Sequence, residues 1–192
     1  MGKIVKLGLV LFVITAVTGL ILGAVHTATL EPIRAARANE KNEALAATLP
    51  GATDFKEIKP EGDSGTITEI YEGSKDGAVT GYNFTVTPKG YGGLITLIVG
   101  ISNAGEIEDI KILSHSETPG LGAKAGSPEF SGQFHKKAID DFRVTKTPPE
   151  SGRDIQAISG ATITSTAVTS GVNDAAAYWK ANFSGSSAQK AD

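Results

Sequence analysis

The sequence of 192 residues contains no cysteine. Disulfides, cysteine-ligated iron–sulfur clusters, thiolate zinc sites and lipid attachment to an N-terminal cysteine are therefore excluded. Basic residues are not in excess either, with 18 Lys and Arg against 21 Asp and Glu and a formal net charge of -3. Nucleic-acid binding requires a clustered basic surface, so no nucleic-acid partner is expected. Aromatic residues make up only 6 %, whereas the 23 glycines fall in a few short clusters.

A long apolar run lies near the N-terminus, where residues 7–25 carry no charge. At about 1.5 Å per residue, a helix of this length spans roughly 28 Å, close to the thickness of a bilayer core. Lys3 and Lys6 precede the run, and basic residues flanking a span favour the cytoplasmic side. We expect a cytoplasmic N-terminus at 1–6, a transmembrane helix at 7–25 and an extracytoplasmic remainder.

A cleaved signal peptide is the alternative interpretation of this segment. Its apolar core usually spans only about 7–15 residues and ends at a small-x-small cleavage site. The run here is longer, and the VHTATLEP that follows matches such a site poorly, which favours a retained anchor in a bacterial plasma membrane.

The rest of the chain is predicted to be an α+β domain on a helical stalk. An Ala-rich segment with charges around most of its surface ends at Pro50-Gly51, which predicts a stalk at 26–51. Alternation of apolar and polar residues at 82–86 predicts a half-buried strand, and the runs flanking Asn103-Ala104-Gly105 predict an antiparallel hairpin.

The C-terminal half has weaker patterns until its last helix. A modest helix is predicted at 130–142, a short strand at RVTKT, and an amphipathic helix starting near Ile163 that buries Val168, Val172, Ala175, Ala176 and Trp179. The domain is thus assigned to 52–183, with an antiparallel sheet and flanking helices. The polar residues 184–192 are predicted to be a disordered tail.

Three glycine-containing stretches could bind a ligand. In Ser159-Gly160-Ala161-Thr162-Ile163-Thr164-Ser165, small residues precede a helix whose unpaired N–H groups and partial positive charge suit a phosphate. Ordinary helix capping explains the same residues equally simply.

The other two stretches are less specific by themselves. Glu117-Thr118-Pro119-Gly120-Leu121-Gly122 predicts a tight turn whose exposed amides could bind a polar heterocycle edge beside Leu121. Gly90-Tyr91-Gly92-Gly93 enters a strand, where Tyr91 could pack on a planar ligand. A surface turn and a strand-entry bulge are the alternatives. The three histidines are far apart in the sequence, so no metal site is expected.

Taken together and in this order, the anchor, the stalk, GYGG, ETPGLG and SGATITS resemble the FMN-binding domain family of membrane redox complexes. The similarity covers nearly the whole chain and is strongest to the G subunit of Rnf-type ferredoxin:NAD+ oxidoreductases. The C subunit of Na+-translocating NADH:quinone reductases comes second.

The resemblance implies a cofactor and its residues. By position, Thr162 corresponds to the threonine that is covalently joined to FMN through the flavin's phosphate. The loop around the phosphate would be shaped by Ser159, Gly160 and Ala161. The flavin ring would be bordered by Glu117, Thr118, Pro119, Gly120, Leu121 and Gly122, with Tyr91 packed beside it. The family's FMN transferase commonly meets an acidic residue six positions before the threonine, whereas this chain has Gln156 there and Asp154 two residues earlier.

The resemblance also implies a function. The chain would be an electron relay, without a substrate pocket of its own, in a complex that transfers electrons from ferredoxin to NAD+ while moving Na+ or H+. Its partners would be the other subunits, including an integral-membrane flavin subunit, and the transferase. Two alternatives remain: a flavinylated subunit of an NADH:quinone or extracellular reductase, and an anchored binding or scaffold module without a cofactor.

Overall fold

The computed structural model describes residues 2–62 and 64–184 and divides the chain into two compact units that meet between Lys41 and Asn42. Helix α1 (Gly2–Thr48) provides all of the first unit and continues into the second. It is the one helix in the described chain that is long and apolar enough to cross a membrane. The helix is continuous through both the predicted span at 7–25 and most of the predicted stalk.

The second unit contains a six-stranded antiparallel sheet. Its strands follow chain order and are β1 (Asp54–Ile58), β2 (Ile67–Lys75), β3 (Ala78–Val86), β4 (Thr96–Ser102), β5 (Glu106–Ser114) and β6 (Lys137–Ala138). The predicted hairpin is confirmed as β4 and β5, with Asn103-Ala104-Gly105 as the turn. A separate parallel pair is formed by β7 (Arg143–Thr145) and β8 (Asp154–Gln156).

Helix α3 (Thr162–Asn182) covers one face of the sheet and forms the main core with it. The apolar face predicted for this helix is confirmed, because all five of its predicted core residues are buried. The residues that the sheet contributes include Phe84, Val86 and Val99. The predicted α+β class, with an antiparallel sheet and flanking helices, is therefore observed.

The last turns of α1 cover the opposite face of the sheet. Ala44 and Leu45 pack against Ile98, and the side-chain amide of Asn83 donates a hydrogen bond of 2.9 Å to the Leu45 carbonyl. The strand predicted at 82–86 is confirmed as part of β3, but the prediction that it is half-buried is wrong, because Asn83 and Thr85 are buried as well. The alternation is real, but polar residues here face a second packed layer instead of solvent. The compact unit that contains the sheet begins at Asn42. The predicted domain boundary at 51/52 stays a prediction.

The prediction of a helix at 130–142 is also wrong. Helix α2 (Pro128–Ser131) is followed by a short 3-10 segment (Gly132–Phe134), and Lys136 then adopts a positive φ of 56° that no helix accommodates. Phe134 contacts both Phe130 and Phe142 edge to face. The spacing of these three phenylalanines resembles that of a helical face, but they pack on one another in an irregular segment. The tail predicted at 184–192 lies, beyond Ser184, outside the described residues.

Candidate functional site

Thr162 is the first residue of α3, and that end of the helix has no side-chain cap. The N-cap position is occupied by Ala161, which has no side-chain oxygen to accept a hydrogen bond from the first-turn N–H groups. Thr162 is exposed, and within the described residues its hydroxyl has no hydrogen-bond partner. An unpaired hydroxyl therefore stands beside the positive end of a 21-residue helix.

The loop that leads into Thr162 is held by a buried serine. The Ser165 hydroxyl accepts from the Ile158 N–H at 3.0 Å and donates to the Ala161 carbonyl at 2.9 Å. Gly160 has a φ of +75°, a conformation that glycine adopts without steric cost. The backbone turn before the helix is thus fixed by local hydrogen bonds, and the Thr162 side chain is left outside them.

Glu117 connects the three glycine-containing stretches. Its side chain is 6 % exposed, and it accepts hydrogen bonds from the Gly92 N–H at 2.9 Å and from the Thr164 hydroxyl at 2.5 Å. Its own backbone N–H donates to Nδ1 of His115 at 3.2 Å. One carboxylate therefore joins the GYGG strand entry, the ETPGLG loop and the first turn of α3.

These segments enclose a cavity of about 580 Å³, a size within the ordinary range for ligand pockets. Most of the residues predicted to bind a ligand lie in its wall. The lining residues are Tyr91, Glu117, Thr118, Leu121, Gly122, Gly160, Ala161, Thr162, Ile163 and Thr164. Tyr91, Leu121 and Ile163 are exposed large apolar side chains, so the cavity offers apolar contact area next to the helix end. Ile163 belongs to the SGATITS stretch, but the sequence assigned no binding role to this residue.

Three predicted residues lie away from this cavity's lining. Pro119 and Gly120 form the exposed turn of their loop, and neither is part of the cavity wall. Ser159 instead lines a neighbouring cavity of about 300 Å³ together with Lys124 and Gln156. Gln156, six residues before Thr162, is thus exposed at this second cavity and does not line the first one.

A groove of about 420 Å³ borders Thr162 as well. Lys89, Thr166 and Ser170 line it with Thr162 and Ile163. Lys89 is exposed, and no acidic partner for it is found among the described residues. No pattern in the sequence indicates this lysine, since only the tertiary fold brings Lys89 beside Thr162, which is distant in the chain.

An ion pair stabilises the segment upstream of the site. Arg143 Nε donates to Asp154 at 2.6 Å, and the backbone N–H groups of Glu150 and Ser151 donate to the other carboxylate oxygen at 3.0 and 2.9 Å. The Arg143 guanidinium foremost, and then these amides, hold the pKa of Asp154 well below the usual carboxyl range. Asp154 is thus engaged in folding the loop between β7 and β8.

An FMN-binding domain model matches residues 90–177, a range that includes all three glycine-containing stretches. Among curated proteins, the chain is 39 % identical to the G subunit of the Na(+)-translocating ferredoxin:NAD(+) oxidoreductase complex of Acetobacterium woodii, over 88 % of this chain and 87 % of that protein. It is 35 % identical to the G subunit of an ion-translocating oxidoreductase complex of Methanosarcina acetivorans, over 92 % and 94 %. The proton-translocating counterpart from Clostridium ljungdahlii is 35 % identical over 83 % and 82 %.

A solved structure shares the fold. The crystal structure of the C subunit of a Na+-translocating NADH-quinone reductase from Parabacteroides distasonis superposes with a TM-score of 0.59 at 19 % identity, covering 74 % of this chain and 90 % of that one. The relatives matched by sequence are similar along nearly their whole length. The chain therefore belongs to the family of G subunits of Rnf-type ion-translocating oxidoreductase complexes.

Proposed function

We propose that this chain carries FMN, bound through a phosphoester to Thr162, as an electron-relay subunit of a ferredoxin:NAD+ oxidoreductase that moves Na+ or H+ across a membrane. Membership of the G-subunit family and the FMN-binding domain support an electron-transfer role. The observation that carries the assignment to Thr162 is its unpaired, exposed hydroxyl at an uncapped helix end that borders a ligand-sized cavity.

The neighbouring threonine is a poor acceptor by comparison. Thr164 is 1 % exposed, and its hydroxyl is committed to Glu117. A transferase must bring a phosphorus atom within bonding distance of the hydroxyl that it modifies, so an exposed oxygen is required. The expected reaction joins Thr162 Oγ1 to the flavin phosphorus of FAD, breaks the pyrophosphate bond, releases AMP and removes the hydroxyl proton.

The first turn of α3 suits the phosphoryl group that this ester would place there. The N–H groups of Thr162, Ile163 and Thr164 precede the first backbone bond of the helix, which is donated by Ser165 to the Ala161 carbonyl at 3.0 Å. Free N–H groups at a helix N-terminus, together with the helix dipole, stabilise an anion. Lys89 supplies a cation in the adjoining groove.

The apolar part of the cavity suits the flavin ring. Tyr91 and Leu121 stand on two different loops, and Ile163 projects from α3, so a planar group between them would lose water on several sides. When bound there, the isoalloxazine would supply reversible transfer of one or two electrons, while the protein positions and tunes it. Ser159 and Gly160 would shape the loop beneath the phosphate without contributing to the ring's contacts.

The N-terminal helix would anchor this domain as a single-pass protein of a bacterial plasma membrane. Lys3 and Lys6 would stay in the cytoplasm, and the FMN domain would then lie on the extracytoplasmic side. Gly8, Gly19 and Gly23 have open space where a Cβ would stand, and small residues of this kind permit close approach of partner helices. The partners are therefore expected to be integral-membrane subunits of the complex, in addition to the FMN transferase.

In-gel fluorescence tests this proposal and the scaffold alternative together. The full chain, produced with an FMN transferase and run on a denaturing gel, is expected to fluoresce under ultraviolet light. Thr162→Val should abolish the fluorescence, whereas the matched control Thr164→Val should retain it. A dark wild-type band would contradict the covalent assignment, and a dark Thr164→Val band with a bright Thr162→Val band would move it to Thr164.

A further inference from the structure

The Glu117 carboxylate fills space that is available only because residues 90 and 122 are glycines. A Cβ on Gly90 would come 2.5 Å from Glu117 Oε1, and one on Gly122 would come 2.5 Å from Glu117 Oε2. Any larger residue at either position would displace the carboxylate. The side chain is therefore held between Gly90 and Gly122 and does not extend freely into the cavity.

Both carboxylate oxygens already have donors from this chain. Oε1 accepts from the Gly92 N–H and Oε2 from the Thr164 hydroxyl, and no Lys, Arg or His lies within ion-pair distance in the described part of the chain. Burial of a carboxylate costs free energy unless hydrogen bonds compensate it. A buried acid without a cation, in the wall of a ligand cavity, is thus maintained by two donors alone.

The resemblance implied only that Glu117 borders the flavin ring, whereas both of its carboxylate oxygens accept hydrogen bonds from this chain's own donors. We propose that Glu117 is a positioning residue that fixes the cavity wall by joining Gly92 to Thr164, and that its negative charge lowers the reduction potential of FMN held there. The second part rests on the proposed function. Charges interact more strongly where the protein excludes water, and Glu117 is only 6 % exposed, so added electrons beside its carboxylate are disfavoured.

The proposal predicts shifts of opposite sign for the two partners of the short hydrogen bond. Glu117→Gln removes the charge and keeps the shape, so the reduction potential should become more positive. Thr164→Val keeps the charge but removes a donor that partly neutralises it, so the potential should become more negative. Thr164→Ser retains the hydroxyl and should restore the wild-type potential. Simple loosening of the cavity does not predict this pattern.

Redox titration of the flavin-loaded full chain measures these shifts, with Glu57→Gln, an exposed acid on β1, as the charge-matched control. Potentials for Glu117→Gln and Thr164→Val that shift in the same direction, or that stay at the wild-type value, would overturn the electrostatic role. Where Glu117→Gln does not fold, the pair Thr164→Val and Thr164→Ser decides alone, because equal potentials for the two contradict the proposal.

A second readout does not require bound FMN. Hydrogen exchange of the full chain in detergent, followed by mass spectrometry of peptides covering residues 90–94, reports on the Gly92 amide. Glu117→Ala should accelerate exchange of that amide at least tenfold, while Thr164→Val should leave it nearly unchanged. Unaltered exchange in Glu117→Ala would refute the positioning role of Glu117 even if the flavin assignment is right. Wild-type protein without flavin would refute the proposed function, whereas the positioning role of Glu117 would still be decided by this exchange experiment.

Discussion

The side-chain amide of Asn83, at the centre of the sheet, lies 2.9 Å from the carbonyl oxygen of Leu45 near the end of α1. The same amide lies 3.1 Å from the Thr48 hydroxyl. The Leu45 carbonyl also accepts the Leu49 N–H at 3.1 Å, so Asn83 adds a second donor to it from the sheet. This contact fastens the last turn of α1 to the sheet within the second unit.

Replacement of Asn83 by Ala should therefore destabilise the domain by about 1–3 kcal/mol, the usual cost of losing buried hydrogen bonds. Urea unfolding of the full chain in detergent, followed by tryptophan fluorescence of Trp179, measures the change. Thr169→Val is the matched control, because the buried Thr169 hydroxyl has no hydrogen-bond partner among the described residues and its loss should be neutral or stabilising. An Asn83→Ala variant as stable as wild type would show that the contact contributes nothing.

The pH dependence of stability should depend on Asp154. Its pKa in the folded protein lies below the ordinary value of 3.8, so its ionised form stabilises the fold at higher pH. That contribution is fully present above about pH 5 and is lost as the pH falls below 3.8 through the folded pKa. Thermal melts between pH 7 and pH 2 should show a steeper acid loss for wild type than for Asp154→Asn. Parallel pH profiles would contradict the role assigned to the Arg143–Asp154 pair.

The two glycines of the ETPGLG loop should respond differently to substitution. Gly122→Ala places a methyl group against Glu117 and Thr164, which should displace the cavity wall and shift the potential of bound FMN. Gly120 has open space around it but a φ of +79°, so Gly120→Ala should cost on the order of 1 kcal/mol of stability and leave the potential unchanged. Redox titration and thermal melts separate the two effects. Equal potentials in both variants would contradict the geometry of this wall.

The orientation of the chain can be measured because it has no cysteine of its own. We expect Lys75→Cys, in the domain, to react with a membrane-impermeant maleimide on intact cells, and Ile4→Cys, which keeps both lysines, to react only after the membrane is disrupted. The reason is the pair of lysines that precede the apolar run. The reverse labelling pattern would place the FMN domain in the cytoplasm.

The elements with strong local patterns could be predicted from the sequence. The apolar run, the turn at Asn103-Ala104-Gly105 and the spacing of buried residues in α3 each reflect contacts between near neighbours in the chain. The burial of Asn83 could not be predicted, because the end of α1 that covers it is distant in sequence. The segment after Phe130 was mispredicted for a related reason, since its aromatic residues pack on one another rather than on a helix face.

The site shows the same division. Its three segments were found from glycine placement and family resemblance, and the fold brings them around one cavity. The internal hydrogen bonds of Glu117 and the position of Lys89 follow only from tertiary structure. The sequence motif shows where the backbone has no side chain, at Gly90 and Gly122. It does not reveal that the Glu117 side chain fills the space that these glycines leave.

The central claim is that Thr162 carries FMN through a phosphoester. Intact mass spectrometry of the full chain, purified from cells that contain the transferase, tests it most directly. We expect a mass that exceeds that of the polypeptide by one FMN less one water, with the increment on the peptide that contains Thr162 and absent from Thr162→Val. A polypeptide of unmodified mass from such cells, or an increment retained in Thr162→Val, would contradict the account.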